Sequence, residues 1–236
     1  MKNQNIYWVE AWGEFGCFTR PDLKTDAVSY PCPTPTACEG ILRAVYGKVQ
    51  FHYEIHEIVM LSEPSFVNYK TRMTKNVVSV NNVKDALSGL KASPVPVEPD
   101  LRGGLYLMNP RFAFSFSLVV DHHMIDKPEY LKLPEEQRQH EYEKQMLRRY
   151  RKGQFHYRPC MGRRECAANV EMLSDSPSTG RIPDYWMFQT HELGMMPHYA
   201  EYPNGYPDYR LFDAKVEDGV LTIPPRGVDR VLAAVG

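Results

Sequence analysis

The chain has 236 residues, 43% of them hydrophobic and 12% aromatic, and its 28 Lys and Arg against 29 Asp and Glu leave a formal charge of -1. That composition excludes wholesale disorder and a fibrous repeat. It also excludes a nucleic-acid binder that works by global positive charge, though not a locally basic one.

Five cysteines (Cys17, Cys32, Cys38, Cys160 and Cys166) form no C-x-x-C pair and match no zinc-finger or ribbon spacing. Reduced thiols in a cytoplasmic protein are the expectation. The first residues run straight into strand-like sequence, without the basic and apolar regions of a signal peptide. The most apolar segment, Phe112 to Val120, is too short to span a bilayer, so no membrane partner is expected.

In chain order, Ile6 to Trp12 alternates imperfectly and predicts a strand leading into a turn at Gly13 to Gly16. Thr34-Pro35 reads as a helix N-cap followed by the first helical residue. Ala37, Ile41, Ala44 and Val45 then recur at helical spacing, with Gly47 as a stop signal. Gln50 to Leu61 alternates as the next strand. Residues 62–110 read as an irregular insertion with a short helix at Val83 to Leu90 and a Pro-rich run from Pro94 to Pro99. Arg111 to Asp121 predicts a strand with Phe112, Phe114, Phe116 and Leu118 on one face, and Pro134 to about Lys152 predicts a long helix ending at Gly153. Short strands follow, among them Tyr185 to Phe188 and a hairpin of Tyr209–Val216 and Val220–Ile223 turning at Glu217-Asp218-Gly219. Strand, helix, strand given twice predicts an α+β sandwich of the split β-α-β kind, with a β-rich appendage after it.

The clearest chemical signal is local charge. Lys144, Arg148, Arg149, Arg151, Lys152, Arg158, Arg163 and Arg164 follow one another without an intervening acid. Lys144, Arg148 and Arg151 share a helix face, with His140 one turn earlier. Tyr150, Phe155, His156 and Tyr157 are interleaved with them. Cations for phosphates together with flat rings for unstacked bases are what single-stranded RNA recognition requires. A charge run is more often a solvated helix face, but eight cations lacking one compensating acid favour a polyanion partner.

His122-His123, with Asp121 and Asp126 nearby, reads as a polar strand end, because adjacent strand residues face opposite ways and cannot share one ion. His52 and His56 stand in alternating sequence rather than in an H-E-x-x-H helix, and neither a P-loop nor a G-x-S-x-G elbow is present. No metal or other cofactor is expected. Tyr46, beside Gly47 and Lys48 and one turn after Arg43, reads on its own as a half-buried amphipathic residue with its hydroxyl at the surface.

Three blocks carry a resemblance. The run F-T-R-P-x-x-K, V-S-Y and T-P-x-A-x-x-G-I-L-x-A-x-Y-x-K within residues 14–48 resembles the type I-C CRISPR-associated proteins of the Cas-five family, subtype d. So do Arg148-Arg149 through Gly153-Gln154 to Arg164-Glu165, and the closing Leu211-Phe212-x-Ala214 with Glu217-Asp218-Gly219-Val220.

The resemblance implies a ferredoxin-like core of the RNA-recognition (RAMP) type over residues 1–170, holding the insertion, and a β-rich C-terminal subdomain over 171–236. It implies an endoribonuclease that binds the repeat hairpin of a precursor CRISPR RNA and cuts it by metal-independent attack of a ribose 2′-hydroxyl. The 5′ handle of the guide then stays bound, alongside the backbone and large subunits of a surveillance complex. Such chemistry needs a base, an acid and a cation beside the phosphorane.

Family members use a tyrosine at the end of the first helix, which Tyr46 matches. They also use a Lys-His pair, which by counting back from Gly153-Gln154 falls on Glu141-Tyr142. The nearest residues of those types are His140 and Lys144, four apart on the helix, and Tyr46, His140 and Lys144 are therefore the expected catalytic residues. Arg20, Lys24, Arg43, Lys48, Arg148, Arg149, Arg151, Lys152, Arg163 and Arg164 are the expected RNA contacts. The alternative is a non-catalytic subunit that caps the 5′ handle while another nuclease cuts.

Overall fold

The computed structural model describes residues 5–23, 26–74, 76, 78–89, 98–125, 128–201, 208–226 and 232–233. The first half holds β1 (Tyr7–Trp12), β2 (Phe15–Gly16), β3 (Ala27–Val28), α1 (Pro35–Val45), β4 (Phe51–Met60), β5 (Phe66–Thr74), α2 (Val80–Leu87) and β6 (Pro99–Met108). The second holds β7 (Arg111–Val120), α3 (Pro128–Leu131), α4 (Glu135–Arg151), β8 (Asn169–Leu173), β9 (Thr190–Glu201), β10 (Asp208–Glu217), β11 (Val220–Thr222) and β12 (Leu232–Ala233).

Among the described residues an 8-stranded sheet runs in the order β12-β10-β11-β4-β7-β1-β8, with β9 on β10. Its inner part, β4-β7-β1-β8, is antiparallel throughout. β7 shows why it lies centrally. Its alternation buries Phe112, Phe114, Phe116 and Leu118 on one face, while Ser115 and Ser117 are buried on the other. Those two hydroxyls are satisfied by Glu57 and by His56, as buried polar groups must be.

The helices lie against the aromatic face. Phe51 of β4 meets both Tyr46, at 5.0 Å between ring centroids, and Tyr142 of α4, at 5.5 Å. α1 begins as its sequence predicts: the Thr34 hydroxyl accepts from the Ala37 amide at 3.2 Å and Pro35 occupies the first turn. It ends on Tyr46 in extended backbone. Gly47 follows because a Cβ there would sit 2.8 Å from the Arg43 carbonyl oxygen.

Residues 62–110 depart from the expected irregular insertion. β5 and β6 pair antiparallel over nine register positions, Phe66↔Leu107 to Thr74↔Pro99, and build a 4-stranded sheet with β2 and β3. The pairing was hidden because this ribbon is largely solvent-exposed, so no one-sided apolar alternation marks it. The short helix α2 starts earlier than expected, at the Ser79 cap, and stops at Leu87 before Gly89, which has φ +77°. Leu90 and most of the Pro-rich run lie outside the described residues.

The predicted strand at Tyr185 to Phe188 is instead a 3-10 turn at Asp184–Trp186. Its indole is buried and donates to the Ser62 carbonyl at 2.9 Å, so this aromatic run acts as a plug. The β10–β11 hairpin turns as expected, with φ +48° at Asp218 and +76° at Gly219, the pair of positive values a type I′ turn requires. His122-His123 form a 3-10 turn after β7 rather than a strand end, capped by the Asp121 carboxylate. Asp126 lies outside the described residues.

The division expected at residue 170 falls inside β8, and β9 to β12 continue the sheet that β4, β7 and β1 begin. The five cysteines are free thiols, four of them buried. No helix among the described residues is long and apolar enough to cross a membrane.

Candidate nucleic-acid interface

The site grows from the last turn of α1. A helix leaves its final carbonyls without intrahelical partners, and here the basic segment supplies donors for them. The amides of His156 and Tyr157 reach the Ala44 carbonyl at 2.7 and 3.3 Å, and Arg149 Nη1 donates to the Val45 carbonyl at 3.1 Å. The Arg149 guanidinium also lies 5.4 Å above the Tyr46 ring. A cation is favoured both at a helix C-terminus and over an aromatic face.

Tyr46 is not the surface residue its sequence position suggested: it is 2% exposed. Its hydroxyl donates to Gln145 Oε1 at 3.1 Å, and Gln145 Nε2 donates to the Tyr130 hydroxyl at 2.6 Å. Tyr130 in turn stacks on Tyr142 with centroids 5.2 Å apart. The Tyr53 hydroxyl donates to the Tyr46 carbonyl at 2.6 Å, so Tyr46 is held at both ends. Burial pushes the Tyr46 phenol far above its ordinary range; Tyr130 and Tyr142 add to this, and Arg149 and Arg148 oppose it. At neutral pH it is therefore a protonated donor and not a base.

α4 explains which cations reach this corner. It buries Tyr142, Glu143 and Met146, and turns Gln145 and Arg149 toward α1. At about 100° per residue, His140, Lys144, Arg148 and Arg151 lie on the opposite, solvent side. The structure thus brings Arg149 to Tyr46 but leaves His140 and Lys144 on the far face, where Lys144 pairs with Glu141 at 3.7 Å.

Gly153, with φ +59°, ends the helix and sends the chain into a loop that displays Phe155, 58% exposed, and Tyr157, 51% exposed. Arg148, Arg151, Lys152, Arg158 and Arg164 are exposed, as is Lys48 beyond Tyr46, and among the described residues none of them makes an ion pair.

The other expected contacts are engaged elsewhere. Arg20 pairs with Asp22 at 3.3 Å and lies over Tyr30, and Arg163 pairs with Glu165 at 2.9 Å and lies over Tyr106. Arg43 pairs with Glu39 at 3.5 Å on the wall of a cleft of about 710 Å³. Lys24 is outside the described residues.

Gln145 and Tyr130 are the site residues that sequence reasoning missed. Gln145 was within reach, since it precedes Arg149 by four residues and so shares a helix face with it.

A family model described as CRISPR-associated protein (Cas_Cas5), in its Cas5d form, matches residues 6–79. The chain is 32% identical to the CRISPR pre-crRNA endoribonuclease Cas5d of Thermus thermophilus over 177 residues, which is 75% of this chain and 66% of that protein. The chain belongs to the Cas5d family. A second Cas5d, the CRISPR pre-crRNA endoribonuclease of Mannheimia succiniciproducens, is 26% identical over 92% of this chain and 94% of its own. A crystal structure of a CRISPR-associated protein superposes with a TM-score of 0.66 at 21% identity, covering 97% of this chain and 96% of its own. That likeness concerns the fold.

Against this Cas5d background, Tyr46 lies inside the segment matched by the family model, whereas Gln145 and Arg149 lie outside it. The corner is therefore assembled from two parts of the chain far apart in sequence.

Proposed function

We propose that this Cas5d chain is an endoribonuclease that binds the repeat hairpin of a precursor CRISPR RNA and cuts it at the hairpin base. It then keeps the 5′ handle of the guide within a type I-C surveillance complex. The observation that carries this reading is the buried Tyr46 phenol under the Arg149 guanidinium, beside a loop of exposed rings and of cations that make no ion pair among the described residues.

In the proposed reaction the ribose 2′-oxygen forms a bond to phosphorus while the bond to the departing 5′-oxygen breaks. The 2′-hydroxyl passes its proton to water, the 5′-oxygen takes one from water, and the products are a 2′,3′-cyclic phosphate and a 5′-hydroxyl. Arg149 offsets the charge that builds on the phosphorane oxygens. Tyr46, a neutral phenol, exchanges its bond to Gln145 for one to the same oxygens or to the leaving oxygen when RNA is bound. This route takes no metal and no other cofactor. Lys48, Arg148, Arg151 and Lys152 hold phosphates on either side, and His140 and Lys144 extend that strip along α4.

We read β4-β7-β1-β8 with α1 and α4 as the ferredoxin-like core, a reading supported by the strand order and the antiparallel pairing. β9 to β12 then form the β-rich extension of that core.

Purified protein incubated with labelled cognate repeat RNA and excess chelator tests the proposal. Cutting at one site with a cyclic phosphate end is expected. Tight binding without products would favour the capping subunit, a reading that the solvent-facing positions of His140 and Lys144 support.

A further inference from the structure

A cavity of about 390 Å³ is lined by the end of α4, with Arg149 among its walls, and by residues of β8. Val45 and Val170 line it with apolar surface, and Trp12 and Phe155 contribute rings. Among the described residues β8 pairs only with β1, so alternate backbone N–H and C=O groups point outward from this edge. An apolar slot with a rim of backbone donors and acceptors matches a flat heterocycle, which stacks through its faces and hydrogen-bonds through its edge.

Phe155 strengthens the match. Its ring is 58% exposed, and its position comes from the backbone bonds of the next two residues to Ala44 rather than from burial of the ring itself. Holding an aromatic ring in water forgoes the gain of burying it. An incoming base would recover that gain. Arg149 is a wall of this cavity and also lies over Tyr46, while Val45, another wall, is the chain neighbour of Tyr46. The two places therefore adjoin, with Arg149 common to both. An apolar side chain from a protein partner would fill the slot but leave the adjacent unpaired cations unanswered.

Resting on the reading of this chain as a binder of repeat RNA, we propose that the cavity takes one unpaired base. That base belongs to the nucleotide next to the phosphate at Tyr46 and Arg149. It stacks on Phe155 and turns its edge to the β8 backbone.

The test uses cognate repeat RNA with abasic nucleotides introduced one position at a time, titrated against the wild-type protein and Phe155→Ala. One abasic position beside the cleavage site should weaken wild-type binding about tenfold, the loss of a single stack. Phe155→Ala should weaken binding of the intact RNA by a similar factor, and the two changes together should cost no more than either alone. Losses that multiply at every position, or Phe155→Ala binding intact RNA as tightly as wild type, would overturn the base pocket while leaving RNA binding in place. Failure of the wild-type protein to bind the intact repeat would instead overturn the underlying reading, and the pocket with it.

Discussion

Replacing Tyr46 by Phe keeps the ring against Phe51 and beneath Arg149 and deletes only the hydroxyl. One hydrogen bond is lost, that to Gln145, which keeps its other bond to Tyr130. The net stability cost of such a bond is about 1 kcal/mol, and for a domain of this size that lowers the melting temperature by about 2–4 °C. The chemical consequence should be far larger. A positioned donor to the transition state is worth about 10²–10³-fold in rate. The assay is single-turnover cleavage of labelled repeat RNA at saturating protein, beside thermal unfolding of the same sample. A rate at least about 100-fold lower, with a melting temperature nearly preserved, is expected. If Tyr46→Phe cuts at the wild-type rate, the phenol is a packing residue and the proposed chemistry loses its donor. Gln145→Leu removes the partner of the hydroxyl without touching Tyr46, and should give a smaller loss of rate at a larger loss of stability, since the bond to Tyr130 goes too and the buried phenol is left unpaired.

Reversing the charges of Arg148, Arg151 and Lys152, which pair with no carboxylate among the described residues, should flatten the salt dependence of RNA binding. With about 0.7 per neutralised phosphate on single strands, the log–log slope should shrink by about 2, and an unchanged slope would place the footprint elsewhere. His140 lies on the solvent side of α4, so His140→Ala should change the cleavage rate less than about tenfold; a drop within the about 10²–10⁴-fold range of general acid–base catalysis would bring His140 into the chemistry.

His198 supplies a test in pH. It is buried, its Nε2 bonds the Pro224 carbonyl at 2.7 Å, and its Nδ1 has no partner among the described residues. Burial, with Arg226 adding to it, holds its pKa below 6.5, against the opposing effects of the Pro224 bond and Glu54. The unfolded chain then binds the proton more readily than the folded one. Stability is therefore full above 6.5 and falls as the pH drops through that value toward the folded pKa. Urea midpoints at about pH 7.5 and about pH 5.5 should differ in the wild type and differ less in His198→Phe; equal differences in both would clear His198 of the effect.

Much of the framework could be read from neighbouring residues. Thr34-Pro35 announced α1, the alternating phenylalanines announced β7, Gly153 announced the end of α4, and Asp218-Gly219 announced the last hairpin. Each of these signals is local: a cap, a two-residue period or a positive φ acts within one or two turns of chain, and so it is written where it acts.

The chemistry of the site was not written that way. The cationic run was plain in sequence, but which of its members would turn inward was not. Charge pattern put His140, Lys144, Arg148 and Arg151 on one face, yet the rotation of α4 on the sheet is set by Tyr142, Glu143 and Met146 being buried. That rotation sends Arg149 and Gln145, rather than His140 and Lys144, toward Tyr46. Nor could sequence show that the hydroxyl of Tyr46 is buried. Its partner lies 99 residues away, and the contact exists only once α1 and α4 share one face of the sheet. Local chain chemistry determines the elements and the store of cations; long-range packing decides which side chains meet, because the burial that orients a helix is a property of the assembled core and not of its own segment.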